Sequence, residues 1–207
     1  MVLKLVSLIG FSDFGLRECF KTAPLTIVLT LWLSGCQSFN QQTEGRVQPA
    51  LFANLSCVEY ADVRTLSGSS LSPELLSGDQ LLFLGGYYGC NPIQYGDLVL
   101  YRWGNNKNVA KFVRGLAGDQ LAVQEVSANQ WRLELNGQPL RNSLGAEYIL
   151  SEKKAALIKL YARRLKADEV LLLGNNTDGS HDSSVFGLIK ASQLSGKLIF
   201  LRHSHGN

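Results

Sequence analysis

The chain has 207 residues, 45% of them hydrophobic and 18% charged, with 20 glycines. This suits one globular domain plus a short targeting segment and excludes a disordered or fibrous protein. Twenty basic residues against 17 acidic ones leave a net charge of +3. The basic residues are scattered without interleaved aromatics, so no nucleic-acid surface is indicated, and the charge suits solubility or an anionic membrane.

Arg17 and Lys21 precede an apolar run from Ala23 to Leu33 that ends in Leu33-Ser34-Gly35-Cys36. A basic flank, an apolar stretch and small residues make an export signal. The run is about 11 residues, short of the ~20 that span a bilayer as a helix, so a cleaved signal is physically easier than a permanent anchor. Leu-Ser-Gly-Cys also resembles the lipobox of bacterial lipoproteins, which implies lipidation of Cys36 and cleavage just before it. A signal-anchor with an incidental cysteine is the alternative. The polar stretch 37–50 reads as a tether. The expected organisation is thus a signal or anchor over 1–36, a linker over 37–50 and a folded domain over 51–207. Within that domain Cys57 and Cys90 could pair in an oxidising compartment or remain two buried thiols, and spacing does not decide between these.

From Gln80 onward, short apolar or alternating runs read as strands: Gln80–Leu84, Asp97–Tyr101, Gln120–Val126, Gln130–Leu135, Glu169–Leu173 and Lys197–Leu201. Turn residues separate them, and Asn136-Gly137 between Leu135 and Gln138 is a strong hairpin signal. Only Ser151–Leu165 shows a helical period. The expectation is a mostly β domain of short antiparallel strands with one short helix.

Three stretches have chemical potential. In Ser67-Gly68-Ser69-Ser70-Leu71-Ser72-Pro73-Glu74, a loop crowded with glycine and serine can hold a hydroxyl exposed, or can simply cap a turn at Pro73-Glu74. Lys111 opens an apolar run, Phe112-Val113. If it faces inward, burial would lower its pKa and yield an amine able to take a proton from a serine; an exposed strand lysine is the commoner case. The long polar loop Gly174–Gly187 can orient such a lysine or satisfy only its own backbone.

Together these stretches resemble the boxes of type I signal peptidases, Ser/Lys endopeptidases that remove signal peptides from exported proteins. Ser70-Leu71-Ser72-Pro73-Glu74-Leu75 followed by Gly78-Asp79 is similar to the family's Ser-Met-x-Pro-Thr-Leu box and Gly-Asp. Tyr95-Gly96-Asp97-Leu98-Val99-Leu100 resembles its Arg-Gly-Asp-Ile-Val-Val strand, and Lys111 to Asp119 its Lys-Arg-x-x-Gly-Leu-Pro-Gly-Asp box. Leu135 to Leu140 is similar to its Val-Asn-Gly-Lys-Pro-Leu hairpin, and Gly174 to Gly187 to its Gly-Asp-Asn-x-x-x-Ser-x-Asp-Ser-x-x-x-Gly loop, without gaps.

The resemblance implies Ser70 as nucleophile and Lys111 as general base, with Ser180 orienting the lysine and Asp182 and Asn176 structural near the site. Gly68 stands where some members carry a serine hydroxyl, so the oxyanion would rest on backbone N–H groups, including that of Ser70. Also implied are exported preproteins as substrates, membrane lipid as a neighbour, a catalytic domain on the extracytoplasmic (periplasmic) side of the cell envelope, and a secretion or conjugation machinery as partner. The compact members include peptidases dedicated to conjugative transfer. Three departures thin the charge around the site: Asn175 for Asp, Phe112 for Arg and Ser184 for Arg. They motivate a rival expectation, a catalytically silent envelope lipoprotein that binds rather than cleaves.

Other constellations are weaker. Ser151-Glu152-Lys153-Lys154 fits a Ser-x-x-Lys pattern but lacks the companion motifs of penicillin-binding proteins, and His181-Asp182 lacks a nucleophile elbow. His203 and His205 have no ligand set at metal spacing, so neither metal nor cofactor is expected.

Overall fold

The computed structural model describes residues 54–104, 107–177 and 179–204. The export signal, Cys36, the 37–50 linker and His205 lie outside the described residues.

The strands form two antiparallel sheets. The larger takes β1 (Tyr60–Thr65), β2 (Gln80–Gly85), β3 (Leu98–Trp103), β4 (Lys107–Gly115), β9 (Glu169–Leu173), β10 (Ile189–Lys190) and β11 (Leu194–Arg202), in the order β1-β2-β11-β3-β4-β9-β10. The smaller is β5 (Leu121–Ser127), β6 (Gln130–Leu135) and β7 (Gln138–Pro139), with β8 (Ile149–Ser151) also paired to β6. Asn136 and Gly137 turn the β6–β7 hairpin with φ of 54° and 76°, the left-handed pair that the Asn-Gly signal leads one to expect. The domain is mostly β, as the sequence indicates.

Alternation on β9 shows how the core is divided. Leu171 and Leu173 face a cluster with Leu121, Leu133, Tyr148 and Ile158, whereas Val170 and Leu172 face one with Val99, Tyr101 and Val113. A third cluster joins Leu71 and Leu75 of the serine-rich loop to Phe83, Leu98 and Phe112.

Some boundaries differ from the sequence reading. β1 is an edge strand whose Tyr60, Ala61, Asp62 and Val63 are all exposed, so it carries no apolar alternation to read. The helical stretch ends early: α1 is Glu152–Ile158, followed by a single 3-10 turn, Lys159–Tyr161. Beyond it the backbone is drawn out against β5, where Leu121 N–H donates to Arg163 O and Leu165 N–H to Asp119 O. The polar loop 174–187 contains a four-residue helix, α2 (Ser183–Phe186), capped by the Asp182 carboxylate, which accepts from Ser184 N–H. Cys57 and Cys90 form a disulfide with their Cα atoms 5.8 Å apart.

A repeated device fixes the turns around the site. In Gly78-Asp79, Gly96-Asp97 and Gly118-Asp119 the glycine has φ of 97°, 87° and 90°, where a side chain would be strained. Each aspartate donates its N–H to the carbonyl three residues earlier and accepts that residue's N–H on its carboxylate, the partners being Leu76, Gln94 and Leu116. The turn is thereby closed by its own side chain.

Candidate active site

The serine-rich loop leaves β1 and re-enters the sheet at β2. Its base is tied by Leu66 N–H to Asp79 O and Gly78 N–H to Leu66 O, both 2.8 Å. The Asp79 carboxylate, fully buried, also accepts from Ser204 N–H at 3.0 Å and lies 3.1 Å from His203 Nδ1, so the residues just past β11 hold the same base. Burial pushes this carboxyl up, but the Leu76 and Ser204 N–H groups and His203 overcome it and hold it below its ordinary value. Leu71 and Leu75 anchor the loop in the core, leaving Ser70 half-buried at the surface.

Lys111 lies on β4, between β3 and β9, and only 2% of it is exposed. Its Nζ is 2.7 Å from Ser70 Oγ and donates to Ala110 O at 2.9 Å. Burial pushes the ammonium down to about 8, against the opposing pull of the Asp182 carboxylate. Two residues 41 positions apart thus meet as a hydroxyl and an amine whose pKa is lowered to about 8, an arrangement able to do proton-transfer chemistry.

The 174–187 loop forms the back wall. Asn176 N–H donates to Ser70 O at 3.0 Å, and its side-chain amide reaches Ser69 O at 3.4 Å. Asp182 accepts from Gly174 N–H at 2.9 Å and from Ser184 Oγ at 2.8 Å. Ser180 Oγ is buried without a hydrogen-bond partner among the described residues; its neighbours around Gly174 include the Ser70 carbonyl. Gly68 has φ of 92° and open space where a Cβ would stand.

At the departures from the family boxes, neutral side chains contact the charged groups beside them. Asn175, 1% exposed, donates its amide to Glu74 Oε2 at 3.2 Å and accepts from Ser143 N–H at 3.1 Å. Ser143 Oγ lies within hydrogen-bonding reach of both Glu74 and Asn175, with one proton to give to either. Ser184 bonds Asp182 in place of a guanidinium, and Phe112 is core, with the Arg114 guanidinium 4.8 Å over its ring. Sequence reasoning missed Ser143 and also Tyr148, whose buried hydroxyl donates to Gly174 O at 2.9 Å. Both come from the segment between the β6–β7 hairpin and α1, outside every family box.

The remaining sequence candidates lie elsewhere. His181 stacks edge-on with Trp103, the ring centroids 4.5 Å apart, and Asp182 spends its carboxylate on backbone and Ser184. Ser151 is the N-cap of α1. Among the described residues no group of three or more His, Cys, Asp or Glu side chains could hold a metal, and no helix is long and apolar enough to cross a membrane.

Residues 46–202 match the sequence profile of the family described as signal peptidase, peptidase S26. Similar curated proteins include a probable signal peptidase I-1 of Synechocystis sp., 28% identical over 68% of this chain and 70% of that one. A signal peptidase I of Leptolyngbya laminosa is 25% identical over 91% of this chain and 80% of its own, and one of Bacillus caldolyticus 26% identical over 65% and 75%. A crystal structure of a signal peptidase I from Enterococcus faecalis aligns with a TM-score of 0.39 at 21% identity, over 54% of this chain and 98% of that chain. The chain belongs to the type I signal peptidase family. It is a serine endopeptidase.

Proposed function

We propose that the chain cleaves signal peptides from exported precursor proteins with Ser70 and Lys111 as its catalytic pair. The observation that carries this reading is the 2.7 Å separation of Lys111 Nζ from Ser70 Oγ, with the lysine buried. Neutral Lys111 takes the Ser70 hydroxyl proton as Oγ adds to the scissile carbonyl carbon, and the resulting oxyanion is held by backbone N–H groups. The Ser70 N–H supports this role, since it makes no hydrogen bond among the described residues. Collapse of the adduct breaks the peptide C–N bond, and the lysine ammonium returns the proton to the leaving amine. Lys111 then deprotonates a water that hydrolyses the acyl-enzyme.

An ammonium carries three donors, of which Lys111 spends two on Ser70 and Ala110. The buried, unpartnered hydroxyl of Ser180 is suited to take the third and so aim the amine. Asp182 and Asn176 keep the wall behind Ser70 in place. The N-terminal segment through Cys36, as lipidated terminus or as anchor, would hold the 51–207 domain at the extracytoplasmic face of a membrane, where exported precursors emerge.

The test is processing of a labelled preprotein by full-length protein in detergent. Ser70→Ala and Lys111→Ala should each abolish cleavage while circular dichroism remains that of the parent. Cleavage at the parental rate by either variant would exclude the pair.

A further inference from the structure

Arg114 is 5% exposed, and its Nε and Nη2 are buried with no hydrogen-bond partner among the described residues. The guanidinium carbon lies 4.8 Å from the Phe112 ring centroid and 5.7 Å from that of Tyr95. Aromatic faces compensate part of a cation's desolvation, but they do not replace the hydrogen bonds that a buried guanidinium gives up. The neighbouring Tyr148 phenol oxygen interacts with the guanidinium but does not supply an anion, because burial pushes it up to about 12 against the pull of Arg114, and its proton is given to Gly174 O.

Arg114 forms part of the wall of an open cleft of about 810 Å³ on the β6–β7 side of β4. The other charges on that wall are already engaged. Asp119 accepts from Leu116 N–H and Asn136 Nδ2, and Arg141 bonds Gly145 O and Glu147. Arg114 is the charged group on that wall with N–H donors left unpaired among the described residues, and the donors of a guanidinium match a carboxylate. The cleft is too large for a bare ion, and it mixes apolar Leu135 and Pro139 with amides and a hydroxyl from Gln138, Asn142 and Ser143, as a polypeptide-binding surface does.

We propose that this cleft binds an acidic peptide, the Arg114 guanidinium taking the carboxylate of an Asp or Glu side chain. A guanidinium lying over aromatic rings keeps its N–H donors in its own plane, the geometry of a carboxylate fork. The site is separate from Ser70 but adjoins it through the protein. Asn142 and Ser143 of the cleft wall bond Asn175, and the next residue, Asn176, holds the Ser70 carbonyl. Binding does not require turnover, so the inference stands or falls independently of the Ser70–Lys111 assignment.

The test uses the full-length Ser70→Ala protein in non-ionic detergent and two fluorescein-labelled, C-terminally amidated pentapeptides, Ala-Gly-Asp-Gly-Ala and Ala-Gly-Asn-Gly-Ala, compared by anisotropy. The Asp peptide should bind roughly tenfold more tightly than its Asn isostere, the size of one charge-assisted bond. Arg114→Gln in the same background should erase the difference, and Arg114→Lys, which keeps the charge but not the fork, should restore part of it. Equal binding of the two peptides to the Arg114 protein would overturn the proposal, whatever the folding of the variants. So would full discrimination by a folded Arg114→Gln protein, or displacement by inorganic phosphate at concentrations where the Asp peptide fails to compete.

Discussion

Glu74 and Asn175, 101 positions apart, are joined by a 3.2 Å hydrogen bond in which the amide donates to the carboxylate. These are two of the positions at which the chain departs from its family's boxes, and each departure explains the other. An aspartate at 175 would face the Glu74 carboxylate, whereas an asparagine gives it a donor. Asn175→Asp should therefore cost about 1–3 kcal/mol through like-charge repulsion and a lost bond, and Glu74→Gln should recover most of that loss. Chemical denaturation of both single variants and the double variant measures the coupling; strict additivity would show that the two positions are independent.

With Lys111 as the proposed base, its titration should set the pH profile. With the Lys111 ammonium at about 8, the amine form is a minority at neutral pH and dominates only above about pH 8. The cleavage kcat/KM should rise with unit slope below pH 8 and level off above it. A profile flat from pH 6 to 9 would be incompatible with this base.

The same burial weakens the fold. Below pH 8 both folded and unfolded chains carry the ammonium, and the folded state bears the full cost of its desolvation. Between about 8 and the ordinary 10.5, the unfolded chain binds more protons, so stability climbs with pH. Lys111→Met should raise stability by up to about 3 kcal/mol at pH 7, and the gain should fade as pH approaches 10.5. Denaturation midpoints of parent and variant at pH 7 and pH 10 supply the comparison.

Gly174 backs onto Ser70 so closely that an added Cβ would collide with Ser180 Oγ and the Ser70 carbonyl. Gly174→Ala should displace the Ser70 loop, cost about 1–3 kcal/mol and lower kcat by about a hundredfold or more. Preserved kcat in a folded variant would mean that Ser70 is positioned by its own loop alone.

Gln130–Leu135, which alternates, and Glu169–Leu173, a bounded apolar run, were legible to the residue, and so was the Asn136-Gly137 turn, because local chemistry determines them. Ser70 and Lys111 could be singled out because register with the boxes fixed one serine among several; the loop and the lysine taken separately were ambiguous. β1 was not legible, since its partners come entirely from β2 and most of its residues face solvent. Ser143 and Tyr148 were hidden for a related reason: their importance lies in contacts with Asn175 and Gly174, about 30 residues away, which no local pattern encodes. The neutral replacements of the missing charges likewise become visible only once the 142–143 segment is laid against the 174–176 loop.

The three Gly-Asp turns bear on how the domain comes together. Each is completed by groups within four residues, so the entry into β2, β3 and β5 can be shaped before any distant strand has arrived. Most strand pairings here are non-local, the β1–β2 pair alone enclosing the whole Ser70 loop, and such topologies fold slowly because loop entropy is lost before contacts repay it. Turns that close on themselves shorten that search. They are the segments expected to show early protection in a folding time course, ahead of the sheet whose ends they set.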